Sequence, residues 1–148
     1  MIVRASALVA LLSFPAAGEE TLPEPLRAHA ECAAAGRESA GCAEILTGYC
    51  LEGANDLREL TACRAALAKR MEDEAVRLAA RLGDLGEEAR AAALIAGAER
   101  VVAEFCAGLV GRAATTGSTD HDARCALMRA HVEVYHLRRA LVETEHET

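Results

Sequence analysis

Residues 56–86 read DLRELTACRAALAKRMEDEAVRLAARLGDLG, and this stretch decides the fold. Leu60, Cys63, Leu67, Met71, Glu74, Leu78 and Leu82 recur at steps of three and four, with Ala75 and Ala79 beside them. That spacing puts one mostly apolar stripe on one side of a helix. Arg64, Lys69, Glu72, Asp73 and Arg77 fall mostly off the stripe. Gly53-Ala54-Asn55-Asp56 reads as a turn whose last residue caps the helix, because a short carboxylate can accept from the first free N–H groups. Gly83-Asp84-Leu85-Gly86 ends it.

The pattern continues outward from there. A fourth helix is predicted over about Glu87 to Arg112, with an apolar line Leu94, Ala98, Val101, Phe105, Leu109. Two long helices joined by a short Gly turn predict an antiparallel hairpin. Ala113 to Thr119 is small and polar and reads as a loop. Thr119 or Asp120 then caps a last helix over about His121 to Val142, with the seam Leu127, Ala130, Val134, Leu137, Leu141. Upstream, two short helices are expected, from Pro25 to about Gly36 and from Ser39 to about Leu51. Residues 19–25 and 143–148 read as flexible ends. Ala, Leu, Arg and Glu dominate and no alternating strand pattern occurs, so the expected class is all-α: about five helices in one small bundle.

The first eighteen residues have a different character. Arg4 precedes the apolar run Ala5 to Phe14, and Pro15-Ala16-Ala17-Gly18 leads into Glu19-Glu20. A charged start, an apolar centre and small residues before a polar boundary make a secretory signal peptide, removed after Gly18. The run is about ten residues, against roughly 20 needed to cross a bilayer. Residues 19–148 are then one exported domain, periplasmic or secreted, with no membrane span.

All six cysteines lie in that domain: Cys32, Cys42, Cys50, Cys63, Cys106 and Cys125. An even count in an exported chain reads as three disulfides, and the wide gaps do not suit a metal site. Cys106 and Cys125 flank the expected loop and would pin it, a closure worth roughly 3 kcal/mol. The other four should pair among themselves, in an order the spacing leaves open. After processing only Tyr49, Phe105 and Tyr135 are aromatic, so the bridges stand in for missing core bulk. Without Arg4, fifteen of the sixteen Lys and Arg face twenty-three Asp and Glu, a net charge of −8. That balance disfavours nucleic acid and anionic lipid and favours a cationic partner.

Catalytic patterns are missing. There is no nucleophile elbow, phosphate loop or Cys-x-x-Cys pair, and oxidised cysteines offer no thiolate. No enzyme activity and no cofactor are expected. Asp120-His121-Asp122 could hold a metal weakly, but two Asp at a helix start read first as caps. His131 and His136 stand five apart, which does not stack them on one helix face, and His131 reads as a core or boundary residue. Glu72-Asp73-Glu74 and Glu87-Glu88 are expected to face water.

The cysteine layout resembles one family. Cys42-Ala-Glu-Ile-Leu-Thr-Gly-Tyr-Cys50 is a pair eight apart, Cys63 opens the long helix, and Cys106 closes the next. Thr116-Gly117-Ser118 looks like a small-residue loop, and Cys125-Ala-Leu-Met128-Arg129 follows it. This is similar to the lysozyme inhibitor LprI-type N-terminal domain over roughly residues 42–141, with Cys32 as an addition. The family's Trp, Gln-Arg and Arg-Asp elements have no counterpart, and Met71-Glu72 stands where its Trp-Asp pair would be. The resemblance implies a bacterial envelope protein that binds and occludes a lysozyme-like muramidase. Thr116, Gly117, Ser118, Asp120, His121 and Asp122 on the pinned loop are the expected contact residues. A non-enzymatic envelope assembly module docking a protein partner is the alternative, and a small-molecule or metal binder the third.

Overall fold

A computed structural model of the chain describes residues 22–116 and 118–147. Residues 1–18, read as a signal peptide, lie outside the described residues. Five helices follow one another: α1 (Leu26–Ala34), α2 (Ser39–Gly53), α3 (Leu57–Asp84), α4 (Glu88–Thr116) and α5 (Ser118–Glu147). The described residues contain no strand, so the all-α reading holds.

The ends of α3 follow their local chemistry. Asp56 accepts a hydrogen bond from the Glu59 N–H at 2.8 Å, and the Glu59 carboxylate reaches back to the Asn55 N–H at 2.8 Å. Reciprocal caps of this kind satisfy donors the helix cannot. At the other end Gly86 takes φ +82°, and the Glu87 N–H returns to the Leu82 carbonyl at 2.9 Å. Removing the cap with Asp56→Ala is expected to cost about 1 kcal/mol of stability. A urea titration checks this, and an unchanged midpoint would count against the cap.

The α3 stripe lands where its spacing placed it. Leu67, Met71, Glu74, Ala75, Leu78 and Leu82 are all buried. They meet the α5 seam, where Leu127, Ala130, Val134, Leu137 and Leu141 are buried without exception. Arg64 pairs with Asp120 at the start of both helices and Arg81 with Glu145 near their ends, so α3 and α5 run parallel. The Cys106–Cys125 bridge and the Arg90–Glu143 pair set α4 antiparallel to α5. The antiparallel hairpin that packs most closely is therefore α4–α5, and α5 is the central helix. The Gly turn does join α3 to α4, but these two touch each other less than either touches α5. Their partner choice follows bulk: α5 offers a continuous Leu/Val seam, whereas α4 presents Ala91 and Ala98.

Three expectations need correction. Glu74, expected to face water with Glu72 and Asp73, is 6% exposed and accepts from Arg138 and Arg77. The α4 line is rotated: Ala98 and Val102 are buried, while Val101 is 60% and Phe105 38% exposed. Leu109 falls among side chains outside those described. Cys106 must face Cys125, so positions four, eight and twelve before it (Val102, Ala98 and Leu94) turn towards the bundle with it. Next, most of the supposed loop Ala113–Thr119 is helical: α4 runs to Thr116 and α5 begins at Ser118, with Gly117 outside the described residues. Extending a formed helix adds a hydrogen bond per residue, and two Ala and two Thr cost it little. Of the two ends read as flexible, residues 22–25 and 143–147 are described. Leu22 packs against the core, α5 runs to Glu147, and buried Thr144 donates to the Ala140 carbonyl at 2.8 Å.

Three disulfides staple the bundle. Cys32–Cys42 joins α1 to α2, Cys50–Cys63 joins the end of α2 to α3, and Cys106–Cys125 joins α4 to α5. Their Cα atoms stand 5.7, 5.6 and 5.6 Å apart. The Cys106–Cys125 pair was expected, and the order left open inside residues 32–63 is sequential. No described helix is long and apolar enough to cross a membrane.

Candidate functional site

The residues expected to form a contact loop do not share one exposed tip. Asp120 is 5% exposed and accepts from Thr61 at 3.1 Å and from Arg64 at 3.0 Å. It ties α5 to α3 and is not offered to a partner. His121 is half-buried one turn before Cys125, its ring nitrogens 3.7 and 3.8 Å from the Cys125 sulfur. Asp122 is exposed on the rim of a shallow α3–α5 groove. Thr116 ends α4 and Ser118 starts α5, their side chains outside those described, as is Gly117 altogether. Among the described residues no group of three or more His, Cys, Asp or Glu is arranged to hold a metal ion.

A buried polar relay lies under α1. His29, Cys32 and Ala33 share one face of that short helix, and the Cys32–Cys42 bridge holds the face against the bundle. His29 is 0% and His131 2% exposed. His29 Nε2 lies 2.8 Å from His131 Nδ1, and His131 Nε2 lies 3.1 Å from the Ser39 hydroxyl. The rings meet edge to face, 5.0 Å between centroids. Burial chiefly, then His131 and Arg138, lowers the His29 pKa to about 3. Burial, then His136, lowers His131 to about 4, with a hydrogen bond to Ser39 opposing the shift. Both rings are neutral at neutral pH.

The order Ser–His–His has the spacing of a nucleophile and its base, so the tautomers decide what it does. His29 Nδ1 is buried without a hydrogen-bond partner. If His131 accepted the Ser39 proton and donated to His29, that Nδ1 would carry an unpaired buried N–H. With the chain reversed, His29 donates to His131 and His131 donates to Ser39. The bare His29 Nδ1 lone pair then lies in the field of the Arg138 guanidinium, which is the cheaper state. In that state His131 holds Ser39 and does not activate it, and a base held near 4 has little hold on a proton at pH 7. The relay links α1, α2 and α5 as a structural device. The sequence carried one signal for it: a His three residues before a Cys on the apolar face of a helix.

Next to His131 a cavity of about 170 Å³ opens between α2, α4 and α5. Leu46, Phe105, Leu127 and Met128 form its apolar wall, with Ala43 and Thr47 on α2. Arg64 and Arg124 supply its charge. The sequence reading placed Arg64 only among the charges off the α3 stripe and gave Arg124 no role, because nothing local marks which Arg of a charged helix turns inward.

A second concavity lies at the α2–α3 elbow. Tyr49, Glu52, Gly53, Ala54, Glu59 and Cys63 line a notch of about 440 Å³. Tyr49 is 49% exposed, and Leu51 and Leu57 at the same end are also exposed. The Cys50–Cys63 bridge locks the two helices on either side of the elbow. The chain matches no family model, no curated protein and no solved structure.

Proposed function

We propose that the protein is an exported binding module that occludes a cationic protein partner, in the manner of the lysozyme-like muramidase inhibitors its cysteine layout resembles. The observation that carries this reading is the elbow notch, where exposed Tyr49 stands beside Glu52 and Glu59 on a disulfide-locked support. A Lys or Arg of the partner would lie over the Tyr49 ring with its charge against Glu52. Rigid support favours binding because little has to be ordered on contact. The net charge, −8 once residues 1–18 and their Arg4 are removed, steers a basic partner towards this surface. The contact surface is thus moved from the 113–122 segment to the elbow, since Asp120 is committed to Arg64. No reaction is assigned.

The test is inhibition of cell-wall lysis by a basic muramidase, using the oxidised protein. Inhibition is expected, and Glu52→Lys should weaken it about tenfold or more. No inhibition at micromolar excess would sink the reading. The shallow α3–α5 groove, with Ala65, Ala68, Ala123 and Ala126 on its floor, favours a second reading. Small residues let a partner helix approach closely, as an envelope assembly module would require. Loss of partner capture on Ala65→Glu, with Glu52→Lys silent, would select that reading.

A further inference from the structure

We infer that the cavity between α2, α4 and α5 binds a small organic carboxylate with a one-ring or short branched apolar body. This site shares no lining residue with the elbow notch. Its volume of about 170 Å³ is close to the roughly 150 Å³ of an engineered cavity that takes up benzene. Leu46, Leu127, Met128 and Phe105 give that body an apolar wall. Phe105 supplies a reason of its own. It is a large aromatic left 38% exposed off the α4 packing line, and it forms one wall of this cavity.

The polar groups narrow the ligand to an anion. Each lining group except one already has a partner. The His131 nitrogens engage His29 and Ser39, the Thr47 hydroxyl donates to the Glu44 carbonyl at 3.2 Å, and Arg64 is matched by Asp120 at 3.0 Å. Arg124 lines the cavity, is half-buried, and has no ion pair among the described residues. A guanidinium presents paired donors whose geometry fits a carboxylate, and a partly dry wall strengthens that contact. The local sign is opposite to the chain's net −7, so the selectivity belongs to the cavity and not to the surface as a whole.

Methionine methyl NMR tests this, with benzoate as probe and benzyl alcohol as its neutral counterpart. Met128 lines the cavity, whereas Met71 is buried in the core at 1% exposure and serves as the internal control. In the oxidised chain, benzoate should move the Met128 methyl signal to saturation and leave Met71 in place. Benzyl alcohol should bind about tenfold more weakly, and Arg124→Met should weaken benzoate about tenfold while leaving benzyl alcohol unchanged. Arg124 is half-buried without an ion pair, so its variant should keep the parent unfolding midpoint. No Met128 shift at millimolar benzoate, equal affinity for the two probes, joint movement of Met128 and Met71, or an Arg124→Met variant that binds benzoate normally would each overturn the inference.

Discussion

Glu74→Ala is expected to destabilise the protein by about 3–5 kcal/mol, the largest loss for any single charged residue here. Glu74 is 6% exposed and Arg138 3%, on helices whose sequence positions are far apart. The Glu74 carboxylate accepts from Arg138 and, at 2.6 and 2.9 Å, from Arg77. Removing it takes from the Arg138 cation, deep in the α3–α5 interface, the carboxylate that pairs with it there, so less of that charge's desolvation cost is offset. Arg77 matters less, because its side chain is 31% exposed and can turn to water. The double variant Glu74→Leu, Arg138→Leu should be far milder, since it removes both charges and fills the space with apolar atoms. Guanidinium titrations of the single and double variants measure this. A single variant costing under about 1 kcal/mol would show that the buried pair is not what secures this contact.

Acid is expected to produce the second large effect, through His29 and His131. Their folded pKa values, about 3 and about 4, lie below the ordinary 6.5. Below pH 6.5 the unfolded chain therefore binds protons that the folded chain refuses, and stability falls as pH falls. At pH 7 the folded rings are neutral and the unfolded ones mostly so, and the term is small. Each histidine costs up to about 1.4 kcal/mol per pH step below 6.5, until its folded pKa is reached. A loss of a few kcal/mol between pH 6.5 and pH 5 is the expected result, a window lying above the ordinary carboxylate range. Urea midpoints across that window measure it. The double variant His29→Phe, His131→Phe should flatten the slope even if its absolute stability is lower. A wild-type midpoint independent of pH from 6.5 to 5 would overturn the neutral buried pair.

The same residues show how far the sequence could be read. The α3 stripe was legible from Leu60 to Leu82, because a helix writes its period into neighbouring positions. Glu74 was legible as a seam position, yet the run Glu72-Asp73-Glu74 reads as solvated. Its burial is offset by Arg77 one turn on and by Arg138, 64 residues away, and the second of these carries no local signal. The α4 line failed for a related reason. An Ala-rich helix has a weak apolar signal, and its true phase was carried by Cys106, whose partner sits on α5. As for the candidate sites, His131 was placed at the core boundary but its partner His29, 102 residues away, was not. Arg124 carries no local mark at all.

By itself, the sequence determined the all-α class, the cap at Asp56, the stop at Gly86 and the split of six cysteines into one C-terminal pair and two N-terminal ones. These depend on helical period, backbone conformation and reach along the chain, all of which act over a few residues. Tertiary structure alone decided that α5 is the centre, that α4 and α5 extend through Thr116 and from Ser118, and that Asp120 turns inward. It also brought Glu74 to Arg138 and His29 to His131. Those outcomes depend on which distant side chains share a low-dielectric interior, where an unpaired charge or donor is costly. The segment read as a contact loop shows the difference: its composition permitted a loop, and a helix end tied to Arg64 is what the packing required.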